Sequence, residues 1–293
     1  MVGGRFSGIL RPSAGIGPAF CRGVSASMKS APGASSFSLG GPAPSPAPEA
    51  ALTEAQVRID LAAAYRLIAR QGWDDLIYSH VTAMVPGEPG HFLINAFGLA
   101  FGEIRPGNLV KVDLDGNVLD PPPARAINRA GFALHAAVHR ARPDAHCVMH
   151  LHDTHAIAVS AHPRGLLPLS QHALRFHGCI AYHDYEGVAL SASEAARLVH
   201  TLGERPAALL RNHGSLVIGR TVAEAYTLTA TLLKACRIQV HALAGNPDPV
   251  IPSPAAIERA AAQLFDNGAL EGVWEWPALL RSLHDPAIPT PQP

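Results

Sequence analysis

The sequence has no excess of either charge and no long apolar run. Lysine and arginine total 23, and aspartate and glutamate also total 23, so the formal net charge is zero. Clustered basic residues are the usual footprint of a nucleic-acid or membrane-surface partner, and this balance gives no sign of one. No apolar stretch approaches the ~20 residues that cross a bilayer. We therefore expect a protein that binds neither nucleic acid nor a membrane.

Cysteine is scarce as well. The four cysteines, Cys21, Cys147, Cys179 and Cys236, are far apart and form no C-x-x-C pair. This spacing gives no zinc-finger or dithiol redox signature. We interpret them as buried free thiols in a reducing compartment, which favours a cytoplasmic location.

Acidic residues are missing from the start of the chain, where no Asp or Glu precedes Glu49. Residues 1–50 are rich in Gly, Ser, Pro and Ala and show no hydrophobic periodicity, so we predict a disordered segment. Its basic, acid-free character superficially resembles an organellar transit peptide. We favour the alternatives, which are an unstructured tail or a true start at Met28.

The rest of the chain mixes helical and strand-like patterns. Thr53 and Gln56 form a predicted capping box before apolar residues at helical spacing. Short apolar runs, some joined by tight turns such as Asp115–Gly116, indicate a largely antiparallel sheet with helices packed on it. We predict one α/β domain over residues 51–250, followed by a helical extension and tail over residues 251–293.

Histidine is the abundant residue, with sixteen in the chain. His150 and His152 end a buried apolar strand, and strand alternation puts both side chains on one face. Two imidazoles one pleat apart can share a divalent ion, although a hydrogen-bonded histidine pair is the alternative. The best candidate for a third donor is His213, between two apolar strands, where an ordinary turn histidine is the alternative.

The His150-Leu-His152 pair, followed about sixty residues later by Asn212-His213-Gly214, resembles the class II aldolase/adducin family. Arg142-Pro-Asp144 and Gly98-Leu99 extend the resemblance, which covers about residues 54–245. It implies a three-layer αβα domain with a largely antiparallel central sheet and a small-molecule substrate. It also implies a homo-oligomer, often a tetramer, and a divalent ion, which we expect to be Zn²⁺, with Fe²⁺ or Mn²⁺ as alternatives.

The chain departs from the sugar-phosphate aldolases of that family at their acid/base. Those enzymes carry an acidic residue four positions before a helix histidine, which matches His135, and the acid's position holds Gly131. Their phosphate-binding Gly-Asn turn matches Ser79-His80, and a phosphate-binding serine matches Arg129. The chain therefore resembles the adducin-type branch, which lacks this acid. Ser79, His80 and Arg129 stay candidates for substrate binding, and Arg129 suits a carboxylate.

Other polar residues are candidates to replace the missing acid. His183 and Glu186 lie in the polar, aromatic segment that follows an apolar run, and both are candidate proton carriers. A structural hydrogen-bonding role is the alternative for each. His155 is a candidate extra metal ligand, or a residue that hydrogen-bonds a ligand.

Three histidines leave an open position on a tetrahedral ion, as catalytic sites require. We expect a metal-dependent lyase that cleaves or decarboxylates a small, non-phosphorylated hydroxy- or oxo-carboxylate, with the ion stabilising the enolate. An iron-dependent oxygenase on the same scaffold is one alternative, since three histidines also bind Fe(II). A non-catalytic, adducin-like interaction module is another. The presence of all three histidines and the lack of a long basic tail favour an enzyme.

Overall fold

The structure, a computed structural model, describes residues 52–120, 126–187, 192–246, 248–265, 271–286 and 288. The predicted disordered segment therefore lies outside the described residues. The strands in chain order are β1 (His80–Met84), β2 (His91–Ile94), β3 (Val110–Asp113), β4 (Cys147–Leu151), β5 (Ile180–His183), β6 (Ala207–Leu210) and β7 (Gly214–Gly219). The helices are α1 (Glu54–Gln71), α2 (Arg129–Ala141), α3 (Thr154–Ala161), α4 (Gln171–Leu174), α5 (Ala192–Leu202), α6 (Val222–Leu243), α7 (Pro254–Phe265) and α8 (Glu275–Leu283).

All seven strands belong to one sheet, in the order β3-β2-β1-β4-β7-β6-β5. Neighbouring strands are antiparallel, except for the parallel pair β5 and β6. The prediction of a largely antiparallel sheet is confirmed. The predicted turn at Asp115–Gly116 is also present, and it brings Val118 into a bridge with Val112.

Helices cover both faces of the sheet, as the predicted αβα architecture requires. Met149 and Leu151 of β4 pack in one core with residues of α1 and α6. Val148, the residue before Met149, packs on the other face with Leu134 of α2 and Leu198 of α5. Since side chains alternate along a strand, β4 contributes to both cores and lies at the centre of the domain. Cys147 of β4 and Cys236 of α6 are buried free thiols, as predicted. The prediction is wrong for Cys179, which is disulfide-bonded.

Local signals set the bounds of α1. The Thr53 hydroxyl accepts a hydrogen bond from the backbone N–H of Gln56 at 3.2 Å, and Gly72 ends the helix in the left-handed conformation with φ 67°. The Gln56 side chain donates to Asp60 instead of turning back to residue 53. Only half of the predicted capping box therefore forms.

The C-terminal helix α8 packs on the same core as the rest of the domain. Trp276 and Leu280 of α8 are buried with residues of α1 and α6. The Trp276 indole N–H donates to Asp60 at 3.0 Å, and Arg66 pairs with Asp285. In the part of the chain that the structure describes, no helix is long and apolar enough to span a bilayer.

Candidate metal centre

Three histidines from two strand ends converge at one point. His150 is the fourth residue of β4, His152 follows that strand, and His213 lies in the turn between β6 and β7. The Nε2 atom of His152 lies 3.1 Å from Nε2 of His150 and 3.1 Å from Nε2 of His213. We call these residues the three-histidine group. Their candidate ligand atoms all lie within 4.8 Å of one another.

Hydrogen bonds behind the rings orient two members of this group. His150 Nδ1–H donates to the carbonyl oxygen of Ser215 on β7 at 3.0 Å. His152 Nδ1 lies 2.9 Å from a carboxylate oxygen of Asp75, so it too carries the proton and donates. Each ring therefore directs an unprotonated Nε2 toward the shared point. An outer partner on the remote nitrogen is the usual arrangement for a metal-binding histidine.

The short Nε2–Nε2 distances fit a cation between the rings. With both Nδ1 atoms protonated, a neutral ring has only a lone pair at Nε2, so two such atoms 3.1 Å apart repel each other. Nitrogen ligands ~2.0–2.1 Å from a tetrahedral ion lie about 3.3 Å apart. The donor set is thus suited to Zn²⁺ or a similar divalent ion.

Burial keeps the rings of His150 and His213 in the unprotonated form that binds a metal. It is the largest cause holding the pKa of His150 well below its usual range, and the neighbouring histidines lower it further. Burial also lowers the pKa of His213 to about 4, with His152 adding to the effect. Both rings are therefore neutral at pH 7 with or without an ion.

His80 lies beside this group and fills the place of the missing acid. A Cβ atom built on Gly131 would lie 2.1–2.3 Å from three atoms of the His80 ring, so that ring occupies the side-chain volume of residue 131. Its centroid lies 6.3 Å from that of His150, with the rings nearly parallel. Burial, and then the charges of His152 and His213, lower the pKa of His80 to about 4. The preceding Ser79 is completely buried.

The candidates in the β5 segment line a small cavity that reaches the group. His183, Tyr185 and Glu186 share this cavity with His213. The single N–H of Arg197 Nε donates to both carboxylate oxygens of Glu186, at 2.9 and 3.1 Å, and this pairing lowers the pKa of Glu186. Its Oε1 atom lies 3.5 Å from Nε2 of His183. Glu186 is thus an ionised acceptor rather than a proton donor at neutral pH.

Two other candidates have partners outside the three-histidine group. Arg129 is exposed at the start of α2, with its guanidinium beside Gly116. His155, on α3, lies next to His241 of α6, with 5.9 Å between ring centroids, and 3.7 Å from Asp153. It is not among the residues whose ligand atoms converge.

Asp75 is a residue of the site that no sequence pattern indicates. This carboxylate comes from the segment after α1 and reaches a histidine 77 positions later in the chain. No local spacing connects the two residues, so only the folded structure reveals the pair.

Comparison with known proteins agrees with the fold. Residues 59–240 match the profile of the family described as "Class II Aldolase and Adducin N-terminal domain". An aldolase II superfamily protein from Pseudomonas syringae has a crystal structure similar to this one, with 47% identity, a TM-score of 0.76, and coverage of 79% of this chain and 93% of that one. L-fuculose 1-phosphate aldolase from Glaciozyma antarctica PI12 is 29% identical, with a TM-score of 0.69 over 78% of this chain and 89% of that one. Alpha-adducin from Mus musculus is 45% identical over 202 residues, which are 68% of this chain and 27% of adducin.

Proposed function

This chain belongs to the class II aldolase and adducin family, and on that premise we propose that it is a metal-dependent carbon–carbon lyase. His150, His152 and His213 would hold the ion. The observation that carries the proposal is the convergence of their Nε2 atoms, with His152 Nε2 lying 3.1 Å from that of His150 and 3.1 Å from that of His213. Ser215 and Asp75 occupy the remote nitrogens of His150 and His152. Zn²⁺ is the expected ion because it favours tetrahedral imidazole sites and leaves one position open for substrate.

A divalent ion at this place would supply a Lewis acid that polarises a substrate carbonyl and offsets the negative charge left by C–C cleavage. The chain's own residues would position the substrate and shield it from water. Tyr185 lies 6.3 Å from His213 between ring centroids, and its cavity with His183 and Glu186 supports an approach path for substrate from that side.

The electrostatics favour a small substrate that carries a carboxylate. His80, His150 and His213 are neutral at pH 7 because burial lowers their pKa values. Glu186 is already neutralised by Arg197. A divalent cation among neutral ligands keeps most of its charge, which a substrate carboxylate would offset. With glycine at position 131, decarboxylation is attractive because it needs no base to begin, and retro-aldol cleavage is the other reaction of this class.

Two further functions have support. Three histidines also bind Fe(II), so an iron-dependent oxygenase on the same scaffold is an alternative. The similarity to alpha-adducin favours a non-catalytic interaction module, although it spans only 27% of that protein. A homo-oligomer, with a tetramer expected from the family, belongs to all three proposals and is measured by light scattering.

Metal content tests the proposal directly. We expect the full chain, purified without chelator, to hold close to one zinc ion per subunit by elemental analysis. His150→Ala and His213→Ala should each abolish stoichiometric binding, whereas the control His155→Ala, outside the three-histidine group, should not. If zinc is lost in the two ligand variants but not in the control, the next step is to screen 2-oxo and hydroxy carboxylates for release of CO₂ or aldehyde.

Other outcomes of the same measurement are equally decisive. Iron with the same dependence on the two histidines would redirect the screen to oxygen consumption. An absence of bound metal, with variants as stable as the wild type, would contradict the lyase and favour the interaction module.

A further inference from the structure

A second set of buried histidines lies behind the three-histidine group. Thr82 of β1 is between two residues of α2: its Oγ1 atom is 2.7 Å from His135 Nδ1 and 2.7 Å from His139 Nε2. At the far end, His139 Nδ1 is 2.8 Å from the carbonyl oxygen of Ala145. Thr82, His135 and His139 are all buried. We call Ala145, His139, Thr82 and His135 the α2 series.

The carbonyl of Ala145 fixes the position of every proton in this series. A carbonyl oxygen only accepts, so His139 carries its proton on Nδ1 and has a lone pair at Nε2. The Thr82 hydroxyl must then donate to His139, and because it has a single proton, its oxygen accepts from His135 Nδ1–H. Burial keeps His139 neutral by lowering its pKa to about 4. His135 therefore ends the series with a lone pair on Nε2.

His80 lies at this end, between the α2 series and the candidate metal ligands. Its ring centroid is 5.9 Å from that of His135, in an edge-to-face arrangement, and 6.3 Å from that of His150. His135 Nε2 and both ring nitrogens of His80 are buried without a hydrogen-bond partner among the described residues. A lone pair at His135 favours the His80 tautomer whose N–H faces it. The other nitrogen of His80 is then an acceptor.

The three nitrogens do not satisfy one another. A neutral His80 contributes one N–H and one lone pair, and His135 Nε2 contributes a second lone pair, so at least one acceptor needs a donor from outside the protein. A hydroxyl group or water supplies such a donor. A carboxylate or phosphate oxygen does not, because it only accepts.

We propose that the α2 series positions His80 as a neutral hydrogen-bond acceptor for a hydroxyl group of the substrate at the candidate metal centre. The hydroxyl part of this inference rests on the proposed function, whereas the proton positions in the series do not. His80 is the residue that contacts substrate, and Thr82, His135 and His139 are positioning residues. The substrate class is thereby narrowed to small carboxylates that also carry a hydroxyl group.

Nitrogen NMR of the full chain labelled with ¹⁵N-histidine tests the proton positions without a substrate. We expect neutral His135 and His139 rings, each protonated at Nδ1, with His135→Gln and His139→Gln used for assignment. Thr82→Val removes the hydroxyl at nearly constant volume and should abolish the single tautomer of His135, whereas Thr82→Ser should preserve it. A wild-type His135 protonated at Nε2, or an unchanged pattern in Thr82→Val, would overturn the series.

Binding of two probes to the zinc-loaded protein tests the hydroxyl group. Glycolate and acetate differ by one hydroxyl, so calorimetry of both isolates its contribution. We expect the preference for glycolate to fall about tenfold in His80→Ala and in Thr82→Val, as for one lost hydrogen bond. Thr82→Ser should retain the preference, and zinc content should stay constant in all variants.

An unchanged preference in His80→Ala would show that water, rather than substrate, supplies the donor, and would refute the hydroxyl assignment. Failure of zinc to bind in a histidine-dependent way would instead contradict the proposed function. The NMR measurement needs no metal and would still decide the α2 series.

Discussion

The three-histidine group and the α2 series are both built from histidines on the same side of the sheet, but they differ in where their protons lie. In the three-histidine group, His150 and His152 donate outward to Ser215 and Asp75, so lone pairs face one another across 3.1 Å. In the α2 series, each internal donor meets an acceptor. The facing lone pairs of the three-histidine group need a cation between them. In the α2 series, every hydrogen-bonding atom has a partner except the last nitrogen, His135 Nε2. The hydrogen-bond partner behind each ring, rather than the residue type, decides which chemistry a histidine can perform.

Acid should lower the free energy of unfolding by protonating the α2 series. This is the largest effect on stability that we expect. Burial lowers the pKa of His139 from 6.5 to about 4. Because the unfolded chain then binds the proton more readily, the free energy of unfolding falls as pH drops through the window from about 6.5 to about 4. The loss is about 3 kcal/mol for His139 alone, at 1.36 kcal/mol per pKa unit.

Urea denaturation of the metal-free chain at several pH values measures this loss. His139→Gln keeps a donor and an acceptor on the side chain but does not titrate, so its stability should depend less on pH than that of the wild type. Equal pH dependence in the two proteins would show that His139 is not held neutral by the fold. In the zinc-loaded protein, the three-histidine group should add its own acid sensitivity, because protons compete with the ion for its ligands.

Removal of Asp75 should weaken zinc binding by the three-histidine group, although Asp75 is not itself a candidate ligand. Its carboxylate accepts from His152 Nδ1–H and raises the basicity of Nε2. We expect Asp75→Ala to lower zinc affinity by about 10–100-fold, measured by competition with a chromophoric chelator. Asp74→Ala removes the adjacent acid and is the matched control. Equal affinities in the two variants would mean that the outer hydrogen bond does not orient His152.

The sequence predicted the parts of both clusters that depend on local patterns. Strand alternation placed His150 and His152 on one face. The position of His213 between two apolar strands made it the best candidate for the third donor, and the family resemblance supported that choice. Proximity between distant segments was not predictable, because it depends on which strands pair. The partnership of Asp75 with His152 and that of Thr82 with His135 are of this kind. For the same reason, Gly131 was recognised as a missing acid but not as the space that another side chain fills.

The contact between Gly131 and His80 connects the two clusters. It can be tested by adding a single methyl group at position 131. Helix propensity alone favours alanine over glycine within α2, by up to about 1 kcal/mol. A Cβ at position 131, however, would lie 2.1–2.3 Å from the His80 ring, and overpacking of this kind costs about 1–3 kcal/mol. We therefore expect Gly131→Ala to lower the free energy of unfolding by about 1 kcal/mol, measured by denaturant titration.

Gly102→Ala, where a Cβ meets nothing within 4 Å, is the control. In the His80→Ala background the clash is absent, so Gly131→Ala should become neutral or stabilising. A loss of the same size in both backgrounds would mean that the His80 ring does not occupy the place of residue 131, and the proposed link between the α2 series and the candidate metal centre would fail with it.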